Sequence, residues 1–390
     1  MIHTFKAKNF YSFEDEVTVS FVVDKKAPDT ESYIATAAGA RLSLIEAIIG
    51  ANASGKTTAL KALAFMQWLM VDSYRHNRNY LPFQPFALNK KSELPSDISV
   101  EFEIEGELYT YKCSLSGKQL LSESLEVKSK SKERMTSKRL FSRTWDKKTK
   151  SYNVDDTGFD LPKGYIDASE MGNSSIIAAA SRFGHSPSKK IVHYWKCVET
   201  NVDVDDSWVP YRYRAYQALN YYGNHKESRD RVEKTLKLYD IGIQALNKEG
   251  NVTHKFNDRE FTLDLDDESS GTQQLFAVLK MIDSALDNGS VAIIDEFEAY
   301  LHPNMFSELV GRFLNSKTNP KNAQLLMSTH SYEILNNLNR QQIILAEKND
   351  KGSSEMTRLD EVESARADDN FHNKYLAGKY GAIPKIKKIV

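Results

Sequence analysis

The sequence predicts an α/β fold organised around a phosphate-binding loop, and three stretches carry that expectation. The first is Gly50-Ala51-Asn52-Ala53-Ser54-Gly55-Lys56-Thr57, of the form G-x-x-x-x-G-K-T, entered from the apolar run Leu42 to Ile49 and left through the helix-like run Thr58 to Leu63. The second is Val291 to Glu296, four apolar residues closed by the carboxylates Asp295 and Glu296. The third is Leu325 to His330, an apolar run closed by Ser328, Thr329 and His330. Buried strands whose polar tips reach a nucleotide site end in this way.

The 390 residues suffice for one large or two ordinary domains. With 52 Lys and Arg against 53 Asp and Glu, no global field marks a nucleic-acid or membrane protein, so any basic surface is local. No apolar run approaches the length of a membrane span, and the mean hydropathy of −0.52 fits a soluble chain. A lysine interrupts Met1 to Lys6 before any apolar region, so no signal peptide is expected there. Cys113 and Cys197 stand far apart without metal-ligand spacing, so a reducing, cytoplasmic setting is expected.

In chain order, residues 2–23 read as two strands joined by a turn over Asn9 to Asp15. Residues 25–41 read as a hydrophilic loop before the strand Leu42 to Ile49. The helix after the phosphate loop is expected to reach Tyr74, with Leu60, Leu63, Ala64, Met66 and Met70 near helical spacing. Pro82 and Pro85 mark an irregular segment. Ile98 to Ile104 and Leu108 to Tyr111 alternate around Glu105-Gly106-Glu107, a hairpin signal. Residues 118–150 carry eleven Lys/Arg against four Asp/Glu. They read either as a nucleic-acid-facing lobe or as two edge strands whose lysines discourage aggregation. Helices are expected from Asp167-Ala168-Ser169-Glu170 and over Glu227 to Tyr239, the latter with Val232, Leu236 and Tyr239 on one side.

Chemistry assigns roles to these stretches. Glycines let the loop backbone close around phosphates, and its N–H groups with the helix N-terminus face the anion. The loop from Gly50 through Asn52, Ala53, Ser54, Gly55 and Thr58 is thus the expected phosphate cradle. Lys56 would reach the β- and γ-phosphates, and Thr57 would hold Mg²⁺. Asp295 would hold Mg²⁺ through water, and Glu296 would act as general base. His330 is placed to bond a γ-phosphate. Ser269-Ser270-Gly271-Thr272-Gln273 opens a further helix, readable as a second phosphate binder or as an ordinary N-cap.

Together these pieces resemble the ABC-type ATPase head of SMC, Rad50 and RecF-like proteins: a P-loop NTPase with a mixed central sheet, an antiparallel β lobe and a helical insertion. The resemblance makes Gly50 to Thr57 the Walker A loop, Asp295-Glu296 the Walker B pair, Ser269 to Gln273 the signature, Glu298 to His302 the D-loop and His330 the switch histidine. The signature departs from the usual Ser-Gly-Gly-Gln/Glu at its second and fourth positions. Gln84 is the expected Q-loop residue, near Mg²⁺. More finely, Gly50 to Thr57, Asp295 to Pro303 and the tail Tyr375 to Pro384 resemble the AAA-family ATPases of abortive-infection and anti-phage systems, of the RloA and AbiL type, with OLD, Septu and PARIS ATPases more distant. The resemblance implies head-to-tail dimers or higher oligomers with composite ATP sites, a separate nuclease or Toprim-like effector, and no membrane. Nucleic acid stays open as a partner. The chain is expected to divide into a first lobe over 1–115, an insertion over 116–245, a second lobe over 246–350 and a tail over 351–390. The tail either contacts a partner or packs back on its own head.

Overall fold

A computed structural model gives the architecture and describes residues 1–75, 80–88, 94–131, 134–161, 172–204, 209–239, 242–247, 251–257, 259–299 and 301–384. Burial alternates from the N-terminus: β1 (Ile2–Lys8) buries Ile2, Phe5 and Ala7, and β2 (Val17–Ser20) buries Val17 and Val19. The expected loop over 25–41 instead holds a small hairpin, β3 (Tyr33–Ala35) with β4 (Arg41–Ser43). The run Leu42 to Ile49 is therefore two strands. Ser43 Oγ donates to the Ile45 carbonyl at 2.6 Å and breaks it, and β5 (Ile45–Gly50) follows with every residue buried. Helix α1 (Lys56–Val71) stops short of Tyr74. The amides of Asp72 and Ser73 both turn back to the Trp68 carbonyl, and Ser73 Oγ takes the Leu69 carbonyl at 2.5 Å, which satisfies the helix end early.

Next come β6 (Ser96–Ile104), β7 (Glu107–Leu115), β8 (Leu120–Ser131), β9 (Arg134–Asp146) and β10 (Ser151–Asp155). With β1 and β2 they form one antiparallel sheet in the order β10-β9-β8-β7-β6-β1-β2. The lysine-rich strands are thus not the expected pair of edges. β8 lies between β7 and β9, and β10 covers β9 along Ser142 to Asp146. A buried ion pair, Arg143 with Glu123 at 2.5 Å, is set into this sheet, and the Tyr111 hydroxyl donates to the other Glu123 oxygen at 2.6 Å. Such a pair persists only when its remaining polar atoms are hydrogen-bonded.

The chain continues through α2 (Ile176–Arg182), α3 (Ser186–Lys196), β11 (Glu199–Thr200), α4 (Tyr211–Asn224), α5 (Lys226–Leu238) and a small sheet of β12 (Ile243–Leu246), β13 (Val252–Phe256) and β14 (Arg259–Leu263). α5 buries Val232 and Leu236, as its periodicity requires. The helix start expected at Asp167 to Glu170 lies outside the described residues. Then follow α6 (Ser270–Asn288), β15 (Val291–Ile294), α7 (Pro303–Leu314), β16 (Gln324–Ser328), β17 (Ile343–Lys348), β18 (Ser354–Arg358) and α8 (Phe371–Leu376).

The central sheet runs β11-β15-β16-β5-β17-β18, parallel throughout except at β17–β18. Both its faces are covered, so its strands read as continuous apolar runs. Ile48, Ile293 and Leu326 face a core shared with α1 and the antiparallel sheet. Ala47, Ile49, Ile294 and Met327 face a second core filled by α4, α6 and α7. The antiparallel sheet runs unbroken across residue 116, and β11 joins the central sheet, so the segment 116–245 is built into both sheets. The tail packs on its own head: Tyr375 is buried, its hydroxyl donates to the Ala382 carbonyl at 2.9 Å, and its ring meets Tyr332 at 4.8 Å. Among the described residues no helix is long and apolar enough to cross a membrane.

One buried group opposes this order. Glu46, on β5, is fully buried, and neither carboxyl oxygen has a hydrogen-bond partner among the described residues. Burial pushes its carboxyl well above the usual range, against the opposing pull of Arg358. Glu46 therefore keeps its proton in the fold while the unfolded chain loses one. Stability is highest below the unfolded pKa and falls as pH rises toward the folded value, by up to about 1.4 kcal/mol per pH unit. Glu46→Gln keeps the shape and removes this loss. We expect denaturant midpoints to be higher for the variant at pH 7.5 and to converge with wild type near pH 4. A variant that is less stable at pH 7.5 would mean that Glu46 is ionised against Arg358.

Candidate nucleotide site

The phosphate loop leaves the sheet where β5 meets β17. A Cβ on Gly50 would lie 2.1 Å from the Ala346 carbonyl oxygen, so only glycine fits at this crossing. Gly55 has a φ of +104°, and a Cβ there would lie 2.6 Å from the Ser354 side chain. Between them Ala53 also takes a left-handed conformation, and Asn52 and Ala53 stand exposed on the crest. Lys56 Nζ donates to the carbonyls of Gly50 and Ala51, both at 3.0 Å, and so spans the loop. Burial lowers the Lys56 pKa, while Asp295, Glu296 and Glu298 pull it back up. The Ser54 hydroxyl is buried without a partner among the described residues. Thr58 accepts from Ser12 Oγ at 2.9 Å, which ties the loop after β1 onto the first turn of α1.

The parallel order places the tips of β15 and β16 beside this loop. Thr57 Oγ1 donates to Asp295 Oδ2 at 2.8 Å. The other oxygen, Oδ1, accepts from Ser328 at the end of β16. Ser328 Oγ also accepts from the Glu296 amide at 2.9 Å. Glu296 itself is exposed and left-handed, with φ 49°, a conformation that costs a non-glycine residue about 1 kcal/mol. The His330 amide donates to Glu298 Oε1 at 2.6 Å, which links the segment after β16 to the turn after β15. A hydroxyl and a carboxylate already paired at 2.8 Å, with Lys56 beside them, form the hard-oxygen set that suits Mg²⁺ on a bound triphosphate.

A cleft of about 450 Å³ opens over the loop, lined by Ser54 to Thr58 and, opposite, by Tyr11, Gln84 and Leu88. Gln84 is exposed there, and its main-chain oxygen accepts from the Tyr11 amide at 2.7 Å. The carboxamide that touches the carboxylate strand is a different one. Asn201 ends β11 beside β15 and brackets Asp295: its Nδ2 donates to the Asp295 carbonyl at 2.9 Å, and its Oδ1 accepts the Asp295 amide at 2.7 Å. Sequence reasoning missed Asn201 because a two-residue strand has no periodicity. Its only signal is the polar residue after Val198-Glu199-Thr200, and that signal needs the strand order to be read.

Ser269 caps α6, its Oγ accepting from the Thr272 amide at 3.1 Å and lying 2.9 Å from Thr272 Oγ1. Gln273 is buried and donates to the Leu265 and Glu268 carbonyls. Ser269 and Ser270 are exposed, and a Cβ on Gly271 would meet nothing closer than Ser269 Oγ at 3.8 Å. Among the described residues no packing requires that glycine. Ser269, Ser270, Gly271 and Thr272 do not line the cleft over Lys56. The structure joins Thr57 to Asp295, ties Glu296 to Asp295 through Ser328, and links the His330 main chain to Glu298; Asp295, Glu296, His330 and the exposed α6 start all lie outside the lining of the cleft over Lys56.

Residues 45–336, about three quarters of the chain, match the family described as "AAA domain, putative AbiEii toxin, Type IV TA system". No curated protein matches the chain. Among solved structures, it is similar to an SMC head domain from Thermotoga maritima, at 14% identity and a TM-score of 0.42, covering 92% of this chain and 98% of that one. It is also similar to an SMC head bound to the C-terminal winged-helix domain of ScpA, at 12% identity and a TM-score of 0.48, covering 91% and 97%.

The Asn201 bracket is open to test. Asn201→Ala leaves the Asp295 amide and carbonyl without their partners, at a cost of about 1–3 kcal/mol for the unsatisfied groups. We expect a lower denaturation midpoint and weaker binding of Mg²⁺–nucleotide than of nucleotide alone. An unchanged midpoint together with unchanged nucleotide affinity would show that the bracket does not hold the carboxylate.

Proposed function

We propose, for a chain that belongs to the AAA-domain family whose description names AbiEii-type toxins, that it binds and hydrolyses ATP as a two-state switch. The observation that carries this reading is the Thr57–Asp295 pair at 2.8 Å beside Lys56. Thr57 and Asp295 would hold Mg²⁺, with Gln84 across the cleft as a further oxygen donor. The ion would neutralise charge on the β- and γ-phosphates. Lys56 would exchange its two loop carbonyls for phosphate oxygens. Glu296 would take the proton from the attacking water, and His330 would bond the γ-phosphate. Ser269 and Ser270 are exposed, and a Cβ on Gly271 would meet no other described residue closer than Ser269 Oγ at 3.8 Å, which fits a second protomer closing on the nucleotide held by the first. ATP then favours the closed pair, and hydrolysis reopens it.

We read the switch as the sensor subunit of an anti-phage system of the RloA and AbiL type that controls a separate effector. The family description supports that setting. The alternative is a RecF- or SMC-like DNA clamp, for which the basic composition of residues 118–150 speaks. Capture of a nuclease partner from the native host favours the first; ATPase activity stimulated by DNA in a salt-sensitive manner favours the second.

Steady-state ATPase assays test the core of the reading. Lys56→Ala should weaken nucleotide binding, and Glu296→Gln should bind ATP normally yet turn over at least about a hundredfold more slowly. Ser269→Arg alone should be inactive. Mixing it with Lys56→Ala should restore activity, because a mixed dimer has one intact composite site. Wild-type turnover by Glu296→Gln would remove the assigned base. Mixed dimers that form without recovering activity would remove the composite site.

A further inference from the structure

Four cations converge at the end of α1 remote from the phosphate loop. Arg182 ends α2, Lys189, His193 and Lys196 lie on α3, and together they line one pocket of about 360 Å³. The three on α3 stand at i, i+4 and i+7, on one face of the helix. All four are exposed, the buried Val71 and Val192 lie between them, and among the described residues no carboxylate lines the pocket. Lys190, the next residue along α3, instead pairs with Glu105 at 2.8 Å and Glu107 at 3.4 Å. The helix dipole favours a cation in a last turn, which accounts for Arg182, His193 and Lys196 but not for Lys189 near the start of α3. Two aromatic rings adjoin the pocket. Phe183 follows Arg182, and Tyr74 stands three residues beyond Val71. The rings meet edge to face with centroids 5.9 Å apart, yet Phe183 is 58% exposed and Tyr74 40%. Arg75, beside Tyr74, is paired with Asp72 at 3.2 Å. The 16 residues of α1, about 24 Å at helical rise, separate this surface from the phosphate loop.

We propose that this surface binds single-stranded nucleic acid, with phosphates on Arg182, Lys189, His193 and Lys196 and unpaired bases on Tyr74 and Phe183. The cations alone would suit any polyanion. Exposed rings at their margin select a ligand that alternates phosphates with flat aromatic faces, because every unpaired base offers a face to stack. A duplex keeps those faces inside its own stack and would use the cations only. An anionic lipid surface offers no such face. The composition of residues 118–150 points to nucleic acid elsewhere, yet there Arg143 is buried against Glu123 and Arg139 pairs with Asp155 at 3.1 Å. The inference goes beyond both readings above: it requires no hydrolysis, and a clamp on duplex DNA uses neither ring.

The test uses full-length, nucleotide-free protein and fluorescence anisotropy, with a labelled thymidine dodecamer as probe. Its companions are a uridine dodecamer, the thymidine strand annealed to its adenine complement, and an abasic strand of the same length. Saturable binding of a single strand, weakened by salt, is expected, and the tighter of the two sugars names the polymer. The duplex and the abasic strand should bind weaker by about fivefold or more, the least that one lost base stack costs. Lys189→Glu combined with Lys196→Glu, both at exposed positions, should weaken single-strand binding by about tenfold or more and flatten its salt dependence, with the melting temperature in place. Tyr74→Ala combined with Phe183→Ala should weaken it by about fivefold or more, whereas Tyr74→Phe combined with Phe183→Tyr keeps both rings and should keep the affinity. If the alanine pair melts early, the abasic strand makes the same comparison from the ligand side. Absence of saturable single-strand binding overturns the proposal. So does equal or tighter binding of the duplex or of the abasic strand, an affinity untouched by the charge reversal, or a loss of binding when both rings are kept. ATP binding measured on the same preparation separates this site from the nucleotide site, since its loss with intact strand binding would count against the switch alone.

Discussion

Asp295 is held from three sides, through its main chain and both carboxylate oxygens, and the rest of the site is arranged around that restraint. Asn201 brackets its main chain, Ser328 bonds one oxygen and Thr57 bonds the other. Each partner comes from a different part of the sequence: the end of β11, the end of β16 and the start of α1. Only parallel strands in the order β11-β15-β16-β5 bring those ends to one edge of one sheet. A carboxylate restrained in this way needs little reorganisation when a divalent cation and a triphosphate arrive, and that preorganisation is where such sites gain their strength.

The sheet in turn depends on the two cores that cover it. β5 buries all of its residues, which allows Gly50 to meet Ala346 so closely that a side chain is excluded. The phosphate loop therefore starts from a fixed point. The same crossing reaches the tail, because Glu347, next after Ala346, accepts from the Ala382 amide at 3.2 Å, and Tyr375 packs on Tyr332 two residues beyond His330. The tail is thus braced against the strand beside the phosphate loop and against the segment after the histidine. Buried polar groups that do not serve this geometry carry a cost, as Glu46 shows beside Glu123, whose carboxylate takes Arg143, the Tyr111 hydroxyl and the Ile176 amide.

Long, strongly patterned elements were legible in the residues. The helix after the phosphate loop, the β6–β7 hairpin and α5 follow from local periodicity, while Ser73 ends the helix early and Ser43 divides the run that leads into the loop. Features set by distant partners were not legible. Lysines in β8 and β9 suggested edges, yet β8 is an inner strand, because pairing order is not written in local composition. The apolar tail read equally well as a partner contact or as packing, and the burial of Tyr375, Tyr380 and Ala382 chose packing.

By itself the sequence determined the chemistry at hand: a glycine loop with a lysine and a threonine, two carboxylates closing an apolar strand, and a histidine closing another. Those residue types at those spacings fit a nucleotide's phosphates, because functional groups and backbone freedom are local properties. Tertiary structure alone decided which groups meet. It placed Asn201 against the carboxylate strand, set Gln84 in the cleft over Lys56, and left the α6 start outside the lining of that cleft. The physical reason is that strand order and sheet-to-sheet packing are fixed by burial summed over hundreds of residues, to which any one local stretch contributes too little to reveal the outcome.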